Sequence, residues 1–210
     1  PGLLIVGWSG GGGRFDLGML YYTPQIWCSD NSDAIDRLRI QYGTSFCYPP
    51  VCVGAHVSAS PNEQNGRVTP LETRGVVAMS GTFGYEMDLC RCTPEEREII
   101  RRQTEDFHRY GELIRQGDYY RLSEPFQDPG YTAWAHVAPD RREALVSLVT
   151  GSTWAAQPFV TLKLKGLDPA AKYRINGGKT LWPGDALMYA GYPIPPMRGD
   201  YQSLQLHLEA

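Results

Sequence analysis

The 210-residue sequence is 42% hydrophobic with a formal net charge of -3, enough apolar material to bury a core in one or two domains. That balance, with no Lys/Arg cluster, lacks the positive footprint that phosphate backbones or anionic lipids require, so nucleic-acid and membrane partners are not expected. No apolar run reaches the ~20 residues of a membrane-spanning helix. The five cysteines (Cys28, Cys47, Cys52, Cys90, Cys92) read as unpaired thiols in a reducing, cytoplasmic compartment rather than as a zinc site.

Leu3 to Trp8 is a wholly apolar run that stops at Ser9 and the glycines from Gly10 to Gly13, which predicts a strand buried on both faces of a parallel sheet. A glycine run after a strand also opens phosphate sites, but Arg14-Phe15-Asp16 stands where a P-loop needs Gly-Lys-Ser/Thr, and no long helix follows. The glycines therefore read either as a tight turn or as backbone that approaches a hydroxylated ligand closely. Ile26 to Cys28 predicts a second strand, ended by Ser29-Asp30-Asn31-Ser32. A helix follows from Asp33, with Ser32 as its N-cap and Ile35, Leu38 and Ile40 among charged residues.

Ser45 to Tyr48 predicts a third strand, halted by Pro49-Pro50. A loop-like stretch then runs to Arg67, long enough to be either functional or disordered. Thr73 to Met79 predicts a short helix and Phe83 to Leu89 an alternating strand. Thr93-Pro94-Glu95-Glu96 is a capping box that opens a helix with apolar Ile99, Ile100, Phe107, Tyr110, Leu113 and Ile114. This alternation implies parallel strands with crossover helices. After Gly117 the pattern changes to short alternating runs, Tyr131 to Val137, Ala144 to Val149, Phe159 to Lys165, Tyr173 to Ile175 and Leu204 to Leu208. Their spacing predicts a small antiparallel β domain.

Asp30 stands where an apolar strand ends and a helix begins, the catalytic face of a parallel α/β barrel. Beside an aromatic such as Trp27, a carboxyl group there is suited to general-acid work through desolvation; the alternative is a simple cap or turn residue. Asp33 reads as a residue that stabilises the helix dipole. His56, in the long loop, either contacts substrate and orients a carboxylate or is a hydrogen-bonded loop histidine. Tyr21, Tyr22, Trp27 and Tyr48 read as sugar-stacking or core aromatics.

Ser9-Gly10-Gly11-Gly12-Gly13-Arg14-Phe15-Asp16, Gly18-Met19-Leu20-Tyr21-Tyr22 and Trp27-Cys28-Ser29-Asp30-Asn31-Ser32-Asp33-Ala34 together resemble the α-galactosidases of glycoside hydrolase family 36. So do Gln41 to Ser45, Gly54-Ala55-His56-Val57-Ser58, Thr73-Arg74-Gly75 and Phe83-Gly84-Tyr85-Glu86, and later Leu162 to Leu167 and Gly184 to Met188. The resemblance implies an α/β fold: the C-terminal half of a (β/α)8 TIM barrel, strands five to eight, over residues 1–117, followed by a small all-β sandwich domain over 118–210. It implies retaining hydrolysis of terminal α-linked galactose from raffinose- or melibiose-type oligosaccharides, in a homo-oligomer that needs no metal or organic cofactor.

The same resemblance makes Asp30 the acid/base carboxyl and assigns sugar contacts to Gly10, Gly11 and Trp8. Trp8 replaces the family's usual cysteine, and its larger ring is expected to reject a 2-acetamido group. The family's nucleophile lies in a Lys-x-Asp motif on the fourth barrel strand, and no such motif occurs here. The chain is thus expected to be a fragment, partnered by the missing N-terminal half of the barrel and inactive and poorly stable alone. Two other readings stay open: a galactosyl transglycosylase of the raffinose-synthase kind, and a non-catalytic sugar-binding module.

Overall fold

The computed structural model describes Leu3 and residues 5–8, 16–125, 130–153, 155 and 159–210. The chain divides into two compact units, Pro1–Phe107 and His108–Ala210. In the first unit, β1 (Val6–Trp8) pairs in parallel with β2 (Gln25–Trp27), which leads into α1 (Ala34–Thr44). Ile26 of β2 then forms a parallel bridge with Val53. β3 (Val57–Ser58) is followed by α2 (Leu71–Ala78) and pairs in parallel with β4 (Tyr85–Glu86). Ala55, Val57, Leu71 and Ala78 form a core closed by Phe83, Tyr85, Ile99 and Ile100.

The capping box forms as read. The Thr93 N–H donates to Glu96 Oε2 (2.8 Å) and the Glu96 N–H to Thr93 Oγ1 (3.2 Å), starting α3 (Pro94–Gln116). Gly75 lets α2 approach this helix closely, since a Cβ there would lie 2.1 Å from Gln103 Nε2, and that amide donates to the Leu71 carbonyl (2.9 Å).

Four expectations need correction in this unit. The apolar run at the start is not buried on both faces: Leu3 is 83% and Trp8 65% exposed. Among the described residues β1 pairs only with β2. The N-cap of α1 is Asp33, not Ser32; its carboxylate accepts from the Asp36 N–H (2.9 Å). Ser45 to Tyr48 is not a strand. The amides of Ser45, Cys47 and Tyr48 bond back to Gln41 and Thr44, and Phe46 packs edge-on against Tyr42 one turn earlier, so the segment continues the helical winding until Pro49 stops it. The stretch from Pro49 to Arg67 is also not structureless, since it holds a 3-10 turn (Pro50–Cys52), the Val53 bridge and β3.

The second unit contains β5 (Asp118–Arg121), β6 (Tyr131–Val137), β7 (Glu143–Thr150), β8 (Thr161–Leu162), β9 (Lys172–Ile175), β10 (Leu181–Pro183), α4 (Gly184–Tyr189), β11 (Tyr192–Pro193) and β12 (Ser203–Glu209). An antiparallel six-stranded sheet has the order β10-β9-β12-β7-β6-β5, and β8 and β11 make a separate antiparallel pair. Ala133, Ala135, Val146, Leu148, Leu206 and Leu208 share one face, which packs with Leu162, Leu164, Leu167 and Leu187. The opposite face is covered as well: Trp134, His136, Leu145 and Ser147 are buried, so β6 and β7 are enclosed on both sides rather than half-solvated. Phe159 to Lys165 shortens to the two residues of β8, while β5, β10, β11 and α4 are elements that the sequence pattern does not predict. No helix among the described residues is long and apolar enough to cross a membrane.

Candidate active site

The loop between β2 and α1 is held mainly through its backbone. Its short polar side chains prefer to bond nearby main chain, which suits a tight strand-to-helix connection. Asn31 N–H donates to Ser29 Oγ (3.1 Å), and Asn31 Oδ1 accepts from the Asp33 N–H (2.9 Å). Ser58 Oγ, on β3, donates to the Ser32 carbonyl (2.8 Å). Asp33, 1% exposed, pairs with Arg67, which also reaches Asp36 (3.1 Å). Burial pushes the Asp36 carboxyl up, but hydrogen bonds from Asn31 and Arg67 outweigh it and hold the group below its usual value.

Arg37 is the buried cation beneath this loop. It donates to the carbonyls of Ser29 (3.2 Å) and Gly54, and its guanidinium lies 5.2 Å from the centre of the Trp27 ring. Burial draws its pKa below the ordinary arginine value, with Cys28 and Glu86 acting the other way.

The strand ends carry an aromatic row. Trp8 and Trp27 have ring centres 5.5 Å apart, Trp27 and His56 4.6 Å, and His56 Nδ1 lies 3.5 Å from Glu86 Oε2. Two glycines make the row possible. A Cβ at Gly54 would lie 2.8 Å from the Trp27 ring, and one at Gly84 3.1 Å from the His56 ring. Ser32, Ser58, Asn62, Arg74, Glu86 and Asp88 line a polar cavity of about 330 Å³ beside it.

Asp30 stands past the carboxyl end of β2, exposed, and its carboxylate makes no hydrogen bond or ion pair among the described residues. The Trp27 ring is engaged by Trp8, His56 and Arg37. Gly10 and Gly11 lie outside the described residues. Tyr21 and Tyr22 are exposed and pack edge-on against each other. Asp33, expected only to stabilise the helix dipole, is the N-cap and the Arg67 partner. Sequence reasoning did not single out Arg37, Glu86 or Gln64: Gln64 reaches the loop from more than 30 positions away, Glu86 meets His56, and Arg37 reads as one charge of α1. No cluster of three His, Cys, Asp or Glu residues able to hold a metal occurs among the described residues.

The exposed Asp30 carboxyl past the carboxyl end of a parallel strand stands at the end of the strands where α/β barrels carry their catalytic residues. Residues 1–117 match the Melibiase family and residues 131–208 the C-terminal domain of glycosyl hydrolase family 36. The chain belongs to this family of glycoside hydrolases.

It is 53% identical to the bifunctional α-galactosidase/sucrose kinase AgaSK of Mediterraneibacter gnavus over 98% of its length, covering 22% of that protein. It is 48% identical to α-galactosidase AgaA of Geobacillus stearothermophilus over its whole length, covering 28% of that one. It thus spans about a quarter of the curated relatives it matches. The solved structure of AgaA in complex with raffinose superposes with a TM-score of 0.95 at 47% identity, over 99% of this chain and 29% of that one. The galactosidase domain of AgaSK gives 0.96 at 52% identity, with the same coverage.

Proposed function

We propose that the chain carries the acid/base portion of a retaining α-galactosidase site, on the C-terminal half of a (β/α)8 barrel followed by a β domain, with the division near residue 117. β1, β2, the segment from Val53 through β3, and β4 are then barrel strands five to eight; the parallel pairings of β1 with β2, Ile26 with Val53, and β3 with β4 support that order. The observation that carries the functional reading is the exposed Asp30 carboxyl, with no hydrogen bond or ion pair among the described residues, past the end of the second of these strands in a chain of this family. Family structures solved with raffinose and with stachyose support an α-galactoside oligosaccharide as substrate.

In this reading Asp30 donates a proton to the glycosidic oxygen as the bond to the galactosyl carbon breaks. It then takes a proton from the water that attacks the galactosyl-enzyme intermediate. A second carboxylate, about 5 to 5.5 Å away, must form that intermediate. With no Lys-x-Asp segment present, it comes from outside these 210 residues. The exposed edge of β1 is where the remaining barrel would pair, and Trp8, Gly10 and Gly11 contact the sugar. The five free thiols support a reducing, cytoplasmic setting for an enzyme that assembles as a homo-oligomer.

The test compares the 210-residue polypeptide with the same polypeptide joined to the N-terminal portion of a family α-galactosidase, on a chromogenic α-galactoside. The joined protein is expected to turn over and the isolated one to give no signal above buffer. Hydrolysis by the isolated chain would refute an external nucleophile.

A further inference from the structure

The segment at 62–67 contributes no strand or helix, yet its side chains converge on the backbone that carries Asp30. Gln64 spans Asn31 with one amide group: its Oε1 accepts from the Ser32 N–H (3.1 Å) and its Nε2 donates to the Asp30 carbonyl (2.8 Å). Asn62, which is buried, sets Gln64 in place by accepting from the Gln64 N–H (2.9 Å) through Oδ1, while its Nδ2 donates to Ser32 Oγ (3.1 Å). At the far end Arg67 locks the segment to Asp33 and Asp36. Asn31 is turned to Asp36, its Nδ2 donating to Oδ2 (2.9 Å). The main chain on both sides of Asn31 is thus fixed, while the Asp30 carboxyl makes no hydrogen bond or ion pair among the described residues.

We infer that Gln64 is a positioning residue for Asp30, an inference that rests on the acid/base reading above. The Gln64 amide bonds to the backbone of Asp30 and Ser32, not to the Asp30 carboxyl. It holds the peptide groups that aim the Asp30 carboxyl, and proton transfer requires the donor within about 2.6 to 3.2 Å of the leaving oxygen. Without the amide clamp the Asp30 peptide is free to rotate, and the acid loses reach. The loss falls on leaving groups that need protonation, such as a sugar alkoxide, and spares those that depart as stable anions, such as dinitrophenolate.

The test uses an active enzyme containing this chain, with Gln64→Met, Gln64→Ala and Asp30→Ala compared on raffinose and on dinitrophenyl α-galactoside. kcat/KM reports the first, bond-breaking step, and the ratio between the two substrates cancels any loss of folded enzyme. For both Gln64 variants kcat/KM on raffinose is expected to fall about 10- to 100-fold, and on the dinitrophenyl substrate less than about 3-fold, as for a catalytic group displaced by about 1 Å. Asp30→Ala should show the same bias, more strongly. Equal losses on both substrates, or none, in the Gln64 variants overturn the positioning role while leaving Asp30 in place. An unbiased Asp30→Ala would instead remove the acid/base assignment, and the inference with it.

Discussion

Asparagine at position 30, in an active enzyme containing this chain, is expected to lower kcat/KM for raffinose by about 100- to 10,000-fold, the range that general acid-base catalysis contributes. Asparagine keeps the shape of the side chain but has no acidic proton to give, so the galactosyl bond must break to an unprotonated sugar alkoxide. The change should cost little stability, because the Asp30 carboxylate is exposed and makes no hydrogen bond or ion pair among the described residues. Unfolding midpoints should accordingly match within experimental error while the rates separate. A loss smaller than about 10-fold would mean that another group supplies the proton.

The second large effect lies in the β domain and is thermodynamic. His136, on β6 between Tyr119 of β5 and Leu145 of β7, is 2% exposed, and neither ring nitrogen has a hydrogen-bond partner among the described residues. Burial pushes its pKa from 6.5 down to about 4. The folded state therefore holds the neutral ring while the unfolded chain takes up a proton. This contribution to stability is intact above pH 6.5 and is lost as the pH falls toward about 4.

The loss should amount to about 2 kcal/mol at pH 5 and about 3 kcal/mol once both states are protonated. His136→Leu removes the titrating group and the two unsatisfied nitrogens together, so it should gain on the parent by about 2 kcal/mol between pH 7 and pH 5. Urea unfolding of both proteins at the two pH values measures this directly. A parallel response of parent and variant would show that His136 is not the source of acid sensitivity.

Much of the chain announces itself locally. The Thr93 capping box, the strand ending before Asp30 and the long alternating runs of β6, β7 and β12 each rest on residues a few positions apart, so their spacing is enough to place them. The errors fall where distant residues decide. Ser32 and Asp33 are equally good caps by composition, and Arg67, 34 positions away, favours Asp33. The Ser45 to Tyr48 run is too short for its period to separate strand from helix, and its edge-on Phe46 contact with Tyr42 belongs to helical winding.

Strands β10 and β11 are two or three residues long, and their pairing partners, not their own pattern, define them. Of the candidate site residues, Asp30 is legible from its place at a strand end and Trp8 from the family resemblance, whereas Gln64 is a polar residue in a polar loop with no signal beyond the length of that loop. In sequence Arg37 is one charge of an amphipathic helix, and only the fold buries it beside Trp27.

The most direct test of the acid/base role is the anomeric form of the product that azide makes with the Asp30→Ala enzyme. With dinitrophenyl α-galactoside the first step proceeds without an acid, and azide then displaces the enzyme carboxylate from the intermediate without needing a base. The products are dinitrophenolate and galactosyl azide. If Asp30 is the acid/base, the product is the α anomer, because azide enters the face that the leaving group vacated. The β anomer would show instead that the lost carboxylate was the nucleophile, and undiminished hydrolysis without azide adduct would show that Asp30 takes no part in the chemistry.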